Sequence, residues 1–517
     1  MQIKQTRVVI VGGGTAGWLT AGVIAAKHNC ASSDAVSVTL IEAPNIQSIG
    51  VGEGTWPSMR ATLKSMGISE SDFIRQCDVS FKQGSKFVGW HHGANEVYYH
   101  PFTKPVGAGD INLSLHWQQY RQQISFADAV CPQASFTDNG IAPKQISTPE
   151  YSFGLNYGYH LNAGKFGDFI RKHCINNLGV QHVLGEVTHI QNDQEDYVCG
   201  LQLADGKQIE GDIFVDCTGF KSLLLGEHYG VAFQSKKHIL MNDTAIAAQV
   251  PYADTNSPIA SFTTATAKQN GWTWDIGLSS RRGVGFVYSS AHTDQCAAEQ
   301  TLLHHIHKTG GGDMSASDLR RIDINPGHRE TFWHKNVVAI GLSAGFLEPL
   351  EASALVLAEL SAKMLAEQLP TNRQMLAIIS KRFNRTFLYR WQTIIDFLKL
   401  HYVLSERDDS DYWQDMRANA NNSDNLNELL DLWQHQPPDS YDHLRVDEMF
   451  PAASYQYVLY GMNFKTHVSQ QAQLQVETSR ANQLFQQNKN ELEKLKRALP
   501  TNRDLLNKIQ QFGLSKI

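Results

Sequence analysis

Three places in the 517-residue sequence combine residue types able to carry chemistry. The first is Lys82, in Ser80-Phe81-Lys82, with Phe87 and Trp90 following closely. Composition alone favours a surface cation whose stem snorkels over aromatic rings; desolvated, the same amine becomes a nucleophile or a strong hydrogen-bond donor. The second is Tyr98-Tyr99-His100-Pro101-Phe102, which sets aromatic rings and one imidazole on a chain stiffened by proline. It reads equally well as one wall of an aromatic-substrate pocket or as a buried edge strand with a satisfied histidine. The third is Glu348-Pro349-Leu350-Glu351, just ahead of an alanine-rich run to about Gln368. Glu351 can accept a proton, or simply stabilise a helix start through the dipole, and the exposed N–H groups of that helix start suit an anion.

Such groups need elements to hold them, and the clearest lie at the N-terminus. The apolar run Val8-Val9-Ile10-Val11 leads into Gly12-Gly13-Gly14-Thr15-Ala16-Gly17-Trp18, then into a helical pattern. Gly12, Gly14 and Gly17 fall on the G-x-G-x-x-G spacing, which lets a pyrophosphate sit against N–H groups at a helix start. A second strand, Val36 to Glu42, ends in an acid placed to accept hydrogen bonds from a ribose. Further strands are expected at 180–183, around Val187, at 212–217 and at 336–340, and a helix is expected from Tyr157. Glycines at 50, 52 and 54 suit a loop lying flat on a ligand, and residues 107–150 read as loop-rich. Trp272 and Trp274 share one face of a strand, a pattern of core more than of chemistry. His304 and His307 neighbour one another on a helix, but neither a third ligand nor a carboxylate is evident, so no metal is expected. From about residue 375 the periodicity turns helical. The phrase Leu-Pro-Thr-Asn-Arg at 369–373 and 499–503 supplies Thr and Asn as N-caps.

Composition narrows the class. A net charge of −6 gives no basic field for nucleic acid, and 42% hydrophobic residues over this length support a large core in two or more lobes. Seven scattered cysteines with no C-x-x-C argue against a zinc site or disulfide frame and suit a reducing compartment. No apolar run approaches membrane-spanning length, and the first strand begins too early for a signal peptide. The expected location is the cytoplasm.

Taken together, these motifs resemble the flavin-dependent tryptophan halogenases, over positions spread from Gly12 to Tyr455. The stretch Gly12, Gly13, Gly14, Thr15, Ala16, Gly17 resembles that family's FAD fingerprint, and Gly50-Val51-Gly52-Glu53-Gly54-Thr55-Trp56-Pro57 its flavin-covering strap. The resemblance implies catalytic roles for Lys82 and Glu351, halide binding at the backbone of Ser353 and Ala354, and substrate contacts at His100, Phe102 and Tyr455. It also implies FAD contacts at Glu42, Val51, Val187, Leu342 and Leu355. Trp272, Trp274 and Ile276 match the Trp-x-Trp-x-Ile signature.

The implied fold is α/β: a Rossmann-like FAD-binding core of the aromatic-hydroxylase type over residues 1–370, with substrate regions inserted at about 80–150 and 235–330. A helical C-terminal lobe, 371–517, would complete the pocket. The implied reaction takes reduced FAD from a separate reductase, with O2 and halide, and halogenates an electron-rich aromatic such as an indole. The oligomer is left open, a homodimer included. The chain departs from the family pattern at Gly277 where proline is usual, at Ala352-Ser353-Ala354-Leu355 where Ser-Thr-Gly-Ile is usual, and at Tyr455 where tryptophan is usual. Gly277 is expected to loosen a turn, and Ala354 to disfavour chloride relative to bromide. Two rival readings stay open, an aromatic monooxygenase on the same fold and a non-catalytic flavin-binding homologue.

Overall fold

The structure is a computed structural model and describes residues 5–45, 52–134, 138, 140–445, 447–467 and 478–516. Gly50 and Val51 of the expected strap lie outside the described residues. Two compact units emerge. The first comprises 1–78, 161–236 and 325–391; the second comprises 79–160, 237–324 and 392–517.

The first unit is organised on a six-stranded sheet. Thr6–Val11 lies between Ile213–Asp216 and Val36–Glu42, parallel to both, and the order continues to Val337–Ala339 on one side and Gln181–Leu184 on the other. An antiparallel strand, Trp333–His334, closes one edge. Val8, Val9 and Ile10 are fully buried, as parallel strands covered on both faces require. The helix Thr15–His28 packs against the helices Ala163–Asn177 and Ser353–Glu367, which brings two distant helices to the glycine loop's own helix. The helix expected from Tyr157 starts later. Residues Gly158–Asn162 form a strand buried from Gly158 through Leu161, and the helix begins at Ala163 with Asn162 Oδ1 accepting the Lys165 N–H (3.3 Å). The helical spacing of Phe166, Phe169 and Ile170 is kept in Ala163–Asn177; only the start of the helix moves, behind a short buried strand.

The second unit carries a seven-stranded mixed sheet in the order Arg320–Asp323, Thr244–Pro251, Arg281–Tyr288, Gly271–Gly277, Thr263–Lys268, Gly84–Val88, Val97–Pro101. Only the pair Thr263–Lys268 with Gly84–Val88 is parallel. Trp272 and Trp274 are buried core on one strand, their rings 6.4 Å apart, and the neighbouring strand makes room by having glycine at 285, where a Cβ would come within 2.1 Å of the Trp274 ring. Gly277 is not itself in a turn. It ends a strand in register with Arg282, and the tight turn falls at 278–281, closed by the Leu278 N–H on the Arg281 carbonyl (2.8 Å).

Helices dominate beyond Arg373, beginning with Arg373–Val403 and ending with Asn502–Phe512. The two Leu-Pro-Thr-Asn-Arg phrases cap their helices through different residues: Asn372 Oδ1 accepts the Met375 N–H (2.9 Å), whereas Thr501 Oγ1 accepts the Asp504 N–H (3.1 Å). The division between units falls inside Arg373–Val403 after Trp391, so residues 371–391 belong with the six-stranded sheet, and the segments 79–160 and 237–324 cluster with 392–517. Among the described residues no helix is long and apolar enough to cross a membrane.

Candidate active site

The glycine-loop end of the first unit is built from backbone. Gly12 has φ 118° and donates its N–H to the Ile41 carbonyl (2.9 Å); a Cβ there would sit 2.2 Å from the Cys217 carbonyl oxygen. A Cβ on Gly17 would sit 1.9 Å from the Gly12 carbonyl oxygen. Both glycines are therefore demanded by the protein's own close approach of turn, strand and helix. Gly14 differs. Nothing lies within 4 Å of where its Cβ would be, and it caps the helix Thr15–His28 with no side-chain cap bond and no acid in the first turn. The N–H groups of that turn, including those of Thr15 and Ala16, thus stay available to an external anion, as a pyrophosphate requires.

Glu42 lies against this loop, for a Cβ on Gly13 would meet its Cδ at 2.3 Å. One carboxylate oxygen pairs with His182 Nε2 (2.9 Å), a partner that the sequence pattern did not reveal and that fixes the acid's orientation. The turn Gly341–Ser343, which contains Leu342, also reaches the fingerprint: Gly341 has φ 77°, and a Cβ there would press on Ala16 Cβ at 2.7 Å. Val187 opens the strand Val187–Asn192 and Leu355 is buried in Ser353–Glu367, both in the same unit. The open glycine, the uncapped helix and the oriented acid fit a dinucleotide.

Glu351 sits at the strained entrance to the helix Ser353–Glu367. Glu351 (φ 65°, ψ 3°) and Ala352 (φ 56°, ψ 46°) are consecutive left-handed residues, neither of them glycine, at a cost on the order of 1–3 kcal/mol each. The surroundings enforce it. Trp56 Nε1–H donates to the Glu351 carbonyl (2.8 Å), and the Ala352 N–H donates to the Pro349 carbonyl (3.0 Å). The Glu351 side chain is only 7% exposed, and the helix that follows again has no side-chain cap and no acid in its first turn. Ser353 is buried and Ala354 exposed there, and Ala354 lies in regular helix, so a residue with a Cβ is accommodated without backbone strain.

Two turns on, Glu359 is buried and accepts hydrogen bonds from Thr62 Oγ1 (2.6 Å) and Ser58 Oγ (3.0 Å); burial pushes its carboxyl up to about 7, against the pull of both hydroxyls.

The candidate residues of the second unit act through side chains. Lys82 ends the strand Ser80–Lys82, which runs antiparallel to Gly158–Asn162 with Ser80 opposite His160 and Lys82 opposite Gly158. Its side chain is 1% exposed, with the ammonium 5.4 Å from the centre of the Phe102 ring. Lys82 is thus no snorkelling surface cation. Ser80, on the same strand face, is anchored by its hydroxyl to the Gly277 carbonyl (2.5 Å), and His160 Nε2 lies 2.8 Å from Thr263 Oγ1. Burial first, and then the charge of Lys82, hold the His160 imidazole well below its ordinary value, so a neutral ring stands near the amine. His160 carries no signal in the sequence, where the pattern predicts a helix from Tyr157.

His100 lies on the edge strand Val97–Pro101, with Nε2 2.9 Å from Ser454 Oγ. It is satisfied and buried, yet the rings around it form an aromatic wall: Phe397 (5.8 Å), Tyr457 (6.1 Å) and Phe450 (6.5 Å), with Phe397 and Phe450 stacked at 3.7 Å. Tyr457 Oη–H donates to the Thr103 carbonyl (3.0 Å), which ties the wall to the segment bearing Phe102. Tyr455 is 2% exposed and packs on Phe397 (5.0 Å), Trp433 (5.1 Å) and His443 (4.8 Å). Phe397, Phe450 and Tyr457 were invisible as site residues in the sequence, since some 300 residues separate them from His100. His304 and His307 lie on the helix Gln295–Lys308, and no group of three metal-ligating side chains includes them among the described residues.

Comparison with known proteins gives these features a common origin. The sequence profile described as tryptophan halogenase matches residues 7–478. The chain is 31% identical over 430 residues to a tryptophan 6-halogenase of Streptomyces albogriseolus, ThaL, covering 80% of this chain and 79% of that one. It is also 31% identical over 454 residues to the tryptophan 7-halogenase RebH of Lentzea aerocolonigenes, covering 84% and 82%. The crystal structure of a tryptophan halogenase from Shewanella frigidimarina superposes with a TM-score of 0.95 at 48% identity over 99% of both chains. On these matches the chain belongs to the tryptophan halogenase family.

Proposed function

We propose that the protein halogenates an indole-like aromatic, with bromide preferred to chloride and free tryptophan a poor substrate. The observation that carries this reading is Lys82, sequestered from water beside Phe102 in the unit whose aromatic wall surrounds His100. Bound reduced FAD, delivered by a separate flavin reductase, would supply with O2 and halide the hypohalous acid. Gly12, Gly13, Gly14, Thr15, Ala16 and Gly17 would hold its pyrophosphate, Glu42 its ribose, and Val187, Leu342 and Leu355 its remaining surface.

The chain's own residues do the rest. The Lys82 amine donates a hydrogen bond to hypohalous acid and polarises it toward the aromatic carbon, in surroundings that exclude competing water. The neutral His160 adds no second positive charge near that amine. Glu351 accepts the proton released as the halogenated ring regains aromaticity. Halide is held by the N–H groups at Ser353 and Ala354, at the start of a helix with no competing cap. His100 and Phe102 present the substrate's face, and Tyr455 backs the wall through Phe397.

Bromide is larger, less tightly hydrated and easier to oxidise than chloride, so the methyl of Ala354 in place of glycine should cost chloride turnover first. Tyrosine at 455 in place of tryptophan puts a smaller ring behind Phe397, which changes the backing of the wall and should weaken a tight aromatic sandwich on the order of 1 kcal/mol. The test is a competition of equal bromide and chloride, and of indole against tryptophan, with a flavin reductase and product masses as the readout. Brominated indole as the main product supports the reading; dominant chlorination of tryptophan overturns it.

A further inference from the structure

In the second unit a separate group of side chains converges outside the residues considered so far. His91 Nε2 lies 3.4 Å from Glu406 Oε1, and His92 Nδ1 lies 3.7 Å from Glu406 Oε2. The two imidazole centres are 3.8 Å apart, and one donor atom from each of the three residues falls within 4.8 Å of the others. These separations are long for hydrogen bonds. They match the edge of a coordination tetrahedron, about 3.4 Å when each metal–ligand bond is near 2.0–2.1 Å.

The backbone beneath is held from both sides. Glu96 Oε1 accepts the N–H groups of His91 (2.9 Å), His92 (2.9 Å) and Gly93 (3.3 Å), which fixes the turn carrying both rings. Facing it, the Glu406 N–H donates to the His91 carbonyl (2.8 Å), Ser405 Oγ–H to the Trp90 carbonyl (2.7 Å) and Arg407 Nη1–H to the Gly89 carbonyl (2.8 Å). Arg407 brings a positive charge nearby, but Asp409 neutralises it through two hydrogen bonds (3.0 and 2.6 Å). His92 is 56% and Glu406 65% exposed in their side chains, so the group opens to solvent on one side.

We propose that His91, His92 and Glu406 bind a divalent transition-metal ion of the zinc or nickel kind, with water completing its coordination. Two nitrogen donors and one carboxylate select such ions over magnesium and calcium, which take oxygen ligands. The ion would clip the turn at 91–93 to the segment at 405–407. Since the chain has 21 histidines, the test compares the full-length protein with His92→Ala and Glu406→Gln, both changed at exposed side chains. Zinc titrated calorimetrically into each protein, with magnesium as control, should show one class of site in the parent that weakens on the order of tenfold or more in either variant. Zinc should also raise the melting temperature of the parent and not of the variants, whose metal-free melts match it. Equal zinc affinity in all three proteins, or equal response to magnesium, would overturn the proposal.

Discussion

The glycine loop of the first unit and the Lys82 region of the second meet their tasks by opposite means. At Gly12 and Gly17 the sequence must supply an absence of side chain, because carbonyl oxygens stand 2.2 and 1.9 Å from where a Cβ would be, and the ligand-facing groups are main-chain N–H donors of one continuous segment. Around Lys82 and His100 the groups are side chains drawn from strands near residues 80, 100 and 160 and from helices beyond 390. A site built from backbone is local and tolerates no added atom at its tight points. A site built from side chains is assembled over long range, and each member can be changed with the fold intact.

The largest effect expected from this contrast is at Gly17. Gly17→Ala forces a methyl into the Gly12 carbonyl and should cost about 3 kcal/mol or more, with FAD binding lost alongside. Gly14→Ala meets nothing within 4 Å, and should keep the melting temperature while weakening FAD. Melting curves beside fluorescence titration of FAD separate the two. Similar losses of stability in both variants would break the distinction between fold-demanded and ligand-demanded glycines.

The two units should also respond to pH in opposite senses. Glu359, in the first, has its carboxyl raised to about 7 by burial, so its contribution to stability is full below about 4.5 and is lost as pH rises through about 7. Glu359→Gln should therefore stabilise by roughly 2 kcal/mol at pH 8 and by nothing near pH 4.5, read as melting temperature against pH. His305, in the second, is pushed down to about 3 by burial, with Lys268 the next cause. An imidazole kept neutral in the fold leaves stability full above about 6.5 and draining away as pH falls toward about 3, because the unfolded chain takes up the proton first. Replacing it with glutamine should flatten that acid limb by roughly 1–2 kcal/mol between pH 6.5 and 5. A limb that stays as steep in His305→Gln would assign the loss to other groups.

The smallest effect is at Ser454, whose hydroxyl meets His100 Nε2 at 2.9 Å. Ser454→Ala removes one hydrogen bond worth about 1 kcal/mol and should raise KM a few-fold with kcat nearly unchanged. A fall in kcat instead would give His100 a part in the chemistry beyond presenting the substrate.

How far the sequence could be read follows the same line. The fingerprint, the strand ending at Glu42 and the helix after Glu351 were legible because each is one segment with its own signature, and the parallel sheet around them follows from strand and helix alternation. His182 could not be seen, since it reaches Glu42 only through the pairing of Val36–Glu42 with Gln181–Leu184. The burial of Lys82 was equally hidden. Its strand is short, and what desolvates it comes from Phe102 and from the strand holding His160, which sequence periodicity placed in a helix. Gly277 looked like a turn residue and proved to be a strand end, because the register with Arg282 overrides local propensity. The left-handed pair Glu351 and Ala352 has no sequence signal at all, for neither residue is glycine or asparagine; only the bond from Trp56 and the packing around it account for that conformation.

The central claim is that Lys82 delivers the halogen, and it is tested most directly by comparing the parent with Lys82→Met and Lys82→Ala. Each is supplied with a flavin reductase, bromide and indole, and brominated product is measured by mass spectrometry alongside hydrogen peroxide release and FAD affinity. The account predicts a loss of product of roughly 100-fold or more in both variants with peroxide release and FAD binding retained, since only the delivery step needs the amine. Bromination at the parent's rate in Lys82→Met would contradict it.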